Sequence, residues 1–172
     1  MLTLRIILSL IFIAACWRWG DLKNWRKYYP TILYMIINQL LYRFFVNGRY
    51  FLWRVENDFF LLNETFSFLF ITFLIFPFMV MLFLANYPKT FNKKLFHFLL
   101  WIVIALGIET GAYLAGRITY HHGWNIWWSV AFNISIFPML RFHFVKPIPA
   151  WIVSFLFAAF YIYYFHIPLS QY

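Results

Sequence analysis

The sequence predicts an all-α integral membrane protein: a bundle of six transmembrane helices forming a single transmembrane domain over 1–172. Three observations carry that prediction. First, 65% of the residues are hydrophobic and only 11% are charged, whereas a soluble domain averages about 25% charged residues. So small a chain has no core large enough to hide that much apolar surface, so lipid must solvate it. Second, the apolar residues fall into six runs, each near the ~20 residues that a spanning helix needs. Third, the basic residues concentrate in every other loop. A helix is the required form for each crossing, because backbone polar groups in hydrocarbon must be satisfied within the segment.

The runs cover 2–17, 30–46, 59–85, 95–116, 124–142 and 148–167. Segment one has a charged start at Arg5 and an apolar body. Its Ile13-Ala14-Ala15-Cys16 stretch resembles a lipobox, and cleavage before Cys16 would leave five spans. That cleavage would put Arg18, Lys23, Arg26 and Lys27 outside the membrane, against the charge rule, so segment one reads as a retained helix. Segment two is taken to begin at Pro30. Segment three is the longest and contains Pro77, which removes one helical hydrogen bond and predicts a kink. Pro138 does the same near the end of segment five. Turn signals stand at Asn47-Gly48, Asn86-Tyr87-Pro88, His122-Gly123 and Pro147-Ile148-Pro149. Segment four carries a small-residue face of Gly107, Gly111 and Ala115. Ala105, Ala112 and Gly116 lie on roughly the opposite side. Small residues on both sides predict a central helix that touches neighbours all round.

The net charge of +9 is topological rather than a sign of nucleic-acid binding. Loops one, three and five hold nine basic residues: Arg18, Lys23, Arg26, Lys27, Lys89, Lys93, Lys94, Arg141 and Lys146. Arg5, Arg49, Arg54 and Arg117 stand on the other side. Basic loops mark the cytoplasmic face, so both termini are expected outside. The lone cysteine, Cys16, excludes an intramolecular disulfide and a CxxC metal site. No HExxH, GxSxG or phosphate-binding glycine loop is present, and no cofactor or metal is expected.

Ionisable residues at membrane depth are expensive, so they mark the site. Counting 1.5 Å per residue through a ~30 Å core puts Arg43 about 10 Å, Glu64 about 8 Å and Glu109 about 9 Å below the outer surface. Gln39 lies one turn deeper than Arg43, and Tyr113 one turn above Glu109. Asn133 descends from the loop above. This composes a polar cavity in the outer leaflet in which Arg43 pairs with Glu64 or Glu109, leaving one carboxylate without a cation. The loop itself supplies Arg117, His121, His122, Trp124 and Asn125. Its tryptophans read as an interfacial belt and Arg117 as a snorkelling or lid residue. A Glu109 pair with His121 or His122 would suit acid/base chemistry. Two adjacent histidines are poorer metal co-ligands than an i,i+4 pair. His97, His143 and His166 read as interfacial residues at helix ends.

Three passages, PFMVMLFLANYPKTFNKKLFHFLLW (77–101), GIETGAYLAGRITYHHGWNIWWS (107–129) and FPMLR (137–141), carry a family resemblance, with a weaker echo at Trp25 to Pro30. They resemble a family of small multipass membrane proteins of spore-forming Firmicutes, one without assigned chemistry. The resemblance implies an all-helical fold in a bacterial cell membrane. Its Glu-bearing fourth helix and Trp-rich fifth helix match Glu109, Trp124, Trp127 and Trp128. The leading functional expectation is a non-enzymatic accessory or partner-binding membrane component. Its partners would be the lipid bilayer and another membrane protein or a second copy. A small ion- or proton-coupled carrier using Glu64 and Glu109 is one alternative. A membrane-embedded enzyme acting on a lipid-linked substrate is the other.

Overall fold

The computed structural model describes residues 2–46, 50–56 and 64–168, with side chains from Ile6 onward. The expected Asn47-Gly48 turn, Arg5's side chain, Arg49 and the start of segment three at 59–63 lie outside the described residues. Among the described residues the chain forms six α-helices in the expected order: α1 (Leu2–Trp19), α2 (Trp25–Phe45), α3 (Glu64–Ala85), α4 (Phe91–Leu114), α5 (Ile126–Val145) and α6 (Pro147–Tyr164). By length and composition α3, α4 and α6 are apolar enough to cross a membrane. The others are shorter in their apolar part or interrupted by polar residues, such as Arg26, Asn38 and Arg43 in α2.

Several boundaries move. Helix α2 starts at Trp25 rather than Pro30, so Pro30 sits inside it. Pro147-Ile148-Pro149 is no loop: both prolines fall in the first turn of α6, where the missing N–H groups would have had no helical partner. Pro138 is accommodated within a continuous α5. Before Pro77 the backbone widens into a π-helical stretch at Ile71–Ile75, where the Phe76 N–H reaches the Ile71 carbonyl five residues back. That widening is where α3 absorbs a proline that cannot take a regular helical bond.

The all-helical reading missed one element. β1 (Trp53–Val55) and β2 (Ile118–Tyr120) pair antiparallel, with Arg54 opposite Thr119. This ribbon ties the loop after α2 to the loop after α4. The Tyr42 ring stacks on Trp53 at 4.0 Å, and its hydroxyl takes hydrogen bonds from the Leu52 and Trp53 N–H groups. Helix α4 feeds into β2 through a glycine turn. Gly116 has φ +65, and the Arg117 N–H returns to the Ala112 carbonyl at 2.7 Å. Glycine takes that left-handed conformation at little cost.

The core sits at the end opposite the ribbon, and α3 rather than α4 is central. Residues 79–84 of α3 are all buried, facing α1, α2, α4 and α5. Phe83 packs on His97, Trp101 and Phe137. The expectation of a central fourth helix is therefore corrected. Only His97 and Trp101 of α4 are buried, and a Cβ added at Gly107 or Gly111 would meet nothing within 4 Å. The histidine expectation is corrected too. His97 is buried with Nε2 2.9 Å from the Phe83 carbonyl, near the C-terminus of α3. His143 is buried against Tyr34, its Nδ1 3.1 Å from the Thr31 hydroxyl. His166 is an exposed helix-ending residue with φ 50.

Candidate functional site

Below the ribbon, α1, α2, α3, α4 and α5 enclose a cavity of about 290 Å³. Its walls are mostly apolar, from Phe12, Met35, Ile75, Met79 and Phe137 among others, and its polar residues include Glu109, Arg117, Gln39, Asn133, Ser129 and Thr72. Small residues make the space. Ala105 and Ala112 of α4 and Ala115 just after it line the space, so the small residues beside Glu109 leave room for a void instead of a neighbouring helix. Helix α4 packs chiefly on α5 and β2. Both α4 and the 64–75 part of α3 line the cavity.

Glu109 is half-buried at the ribbon end of this cavity. Ser129 of α5 donates to its Oε1 at 2.5 Å and Tyr120 of β2 donates to the same oxygen at 2.8 Å. The Trp124 indole N–H donates to the Ser129 hydroxyl at 3.0 Å, so three side chains form a chain that converges on one carboxylate oxygen. Burial pushes the Tyr120 phenol up to about 12, and the adjacent Glu109 charge adds to that. It therefore remains a proton donor in the hydrogen bond at neutral pH. Tyr113 lies outside the cavity wall but stacks on Tyr120 at 4.8 Å, bracing the donor.

The expected group of Arg43, Glu64 and Glu109 divides in two. Arg43 pairs with Glu64 at 2.6 Å, and Arg54 from β1 reaches the other Glu64 oxygen at 3.0 Å. The Arg43 guanidinium also lies 4.7 Å over the Phe51 ring. Glu64 is thus clamped by two arginines, and Arg43 takes no part in the Glu109 site. Both carboxylates nonetheless lie at one end of the bundle, because Glu64 bonds β1 and Glu109 bonds β2. No protein-family model, curated protein or solved structure matches this chain.

The loop residues also separate by role. Asn125 is the N-cap of α5, accepting from the Trp127 and Trp128 N–H groups at 2.9 and 3.3 Å. Trp124 is buried and belongs to the aromatic cluster with Phe165, whereas Trp127 points outward as a belt residue would. Arg117 lines the cavity. His121 sits 2.9 Å from the Thr119 hydroxyl, which also donates to Glu56, and His122 stacks on Tyr50 at 3.7 Å. Neither histidine takes a hydrogen bond with Glu109, so the Glu–His pair that would suit acid/base chemistry is absent among the described residues. Asn133 is held by the Ser129 carbonyl, one turn above it.

Reading the residues singly overlooked Ser129, Tyr120, Thr72 and Trp53. For Ser129 a signal existed: Asn125, Ser129 and Asn133 recur every four residues and so share one face of α5. Thr72 carried none, because the π-helical turn that fixes its orientation has no sequence signature of its own.

Proposed function

We propose that this chain is a non-enzymatic multipass protein of a bacterial cell membrane that binds a small amphipathic molecule drawn from the lipid phase. Six helices cross the bilayer in this reading, with the basic loops on the cytoplasmic side and both termini outside. The alternation of basic loops supports that orientation, and the family resemblance in 68–141 supports the bacterial membrane. One observation carries the binding reading: a carboxylate held by Ser129 and Tyr120 opens on a mostly apolar cavity of about 290 Å³. A charged group in a low-dielectric site is costly, and the usual compensation is a partner or a ligand. The Arg43–Glu64–Arg54 group satisfies itself and serves as the structural clamp that fixes helix register beside the site.

A carrier is the second reading, and a specific observation favours it. A further cavity of about 150 Å³ lies between α2, α5 and α6, and Gln39, Met35, Trp53 and Trp124 line both spaces. Their shared wall gives a route across the bundle if Gln39 moves. Glu109 alone would be its coupling group, since Glu64 is already paired.

Native mass spectrometry of the purified protein, incubated with extracted membrane lipids, tests the binding reading. The wild type should retain a small adduct, and Ala112→Trp, which fills the cavity with an indole, should lose it while staying monodisperse. Equal retention by both proteins would overturn it.

A further inference from the structure

We infer that the molecule this cavity takes is an amphipathic amine, its ammonium on Glu109 and its chain along the apolar walls. The inference rests on the ligand-binding reading above and narrows it to one chemical class. The hydrogen-bond pattern around Glu109 is the starting point. Both protein donors converge on Oε1, while Oε2 receives no hydrogen bond among the described residues. Oε2 is also not sealed off, since it is absent from the buried atoms that lack partners. Glu109 lines the cavity, and Oε2 is its open accepting oxygen. A ligand group placed on that oxygen has to donate, which an ionised carboxylate or a phosphate diester cannot do there, and Arg117, the other charged residue of the wall, already has an interaction of its own.

Charge narrows the choice further. Among the described residues no basic side chain pairs with Glu109, whereas Glu64 is paired twice. An ammonium supplies both the missing charge and the missing donors, whereas a hydroxyl supplies only a donor. A charge-assisted bond is roughly twice as strong as a neutral one. The walls suit the same ligand. Trp53 and Trp124, 4.7 Å apart, line the cavity and offer ring faces of the kind that attract cations.

Thr72 belongs to the same wall. It is fully buried in the π-helical turn, and its hydroxyl has no hydrogen-bond partner. Its oxygen has no open surface, so it stays within the wall and adds no polar contact for a ligand. Beyond it, Phe12, Met35, Ile75 and Met79 form a purely apolar continuation for a hydrocarbon chain.

The test uses three probes with one chain: n-decylammonium, n-decanol and n-decanoate. Each is measured by equilibrium dialysis against the full-length protein in phosphatidylcholine nanodiscs, with empty nanodiscs subtracted. Decylammonium should bind the wild type about tenfold or more tightly than decanol, the margin of a charge-assisted bond. Glu109→Gln should erase that margin, Glu109→Asp should keep most of it, and Ala112→Trp should abolish binding of every probe. Decanol or decanoate binding as tightly as the amine, and lost in Ala112→Trp, would overturn the amine while leaving the cavity reading intact. Binding of all three probes unaffected by Ala112→Trp would overturn the ligand cavity itself.

Discussion

Removing the charge of Glu64 should cost this fold more than removing any other single charge near the ribbon. In Glu64→Gln the amide holds the shape but leaves Arg43 and Arg54 facing each other without an anion. The relative exposures of the side chains are 23% for Arg43, 15% for Glu64 and 43% for Arg54. Breaking a fully buried pair costs about 3–5 kcal/mol, and an exposed pair is worth about 0–1 kcal/mol. The Arg43 contact lies towards the buried limit and the Arg54 contact towards the exposed one. Together they give about 2–3 kcal/mol for Glu64→Gln and about 0.5 kcal/mol for Arg54→Ala. The assay is reversible unfolding by rising SDS mole fraction in mixed micelles, followed by tryptophan fluorescence. The double variant Arg43→Met/Glu64→Leu should recover at least half of the loss, because apolar residues can replace a buried pair without leaving a lone charge. A Glu64→Gln protein within 0.5 kcal/mol of wild type would refute the clamp, and would return Glu64 to the carrier reading as a free ionisable group.

Thr72→Val exchanges an unpartnered buried hydroxyl for a methyl of the same shape, so stability should be unchanged or rise by about 1 kcal/mol in the same unfolding assay. A loss above 1 kcal/mol would mean that the hydroxyl is bonded in the membrane. Gly107→Ala places a methyl where nothing stands within 4 Å, and it should be neutral or stabilising by up to about 1 kcal/mol through helix propensity. A marked fall in stability or abundance would restore α4 as a closely packed central helix.

The helices were legible because hydropathy is a local, one-dimensional property. Six apolar runs gave six helices, and misplaced boundaries such as Trp25 for Pro30 reflect only how far polar residues can extend a helix. Depth counting put Glu64 and Glu109 at one level, and in the structure they bond to the two strands of the ribbon through Arg54 and Tyr120. The rotation of each helix about its own axis was not legible. Lipid is as apolar as a protein core, so a helix hydrophobic on every side carries no moment to show which face is buried. For that reason α3 turned out central where small residues had pointed to α4.

What the sequence determined by itself is therefore the number and order of helices, the uneven charge of the loops and the presence of a carboxylate where carboxylates are costly. The tertiary structure decided the pairings: Arg43 with Glu64 rather than Glu109, Ser129 and Tyr120 with Glu109, and Asn125 with the α5 backbone. Each depends on a few ångströms of rotation and on a ribbon of six residues that no hydropathy pattern announces. Hydropathy places a segment at a depth. Only packing chooses which neighbour its one polar atom meets.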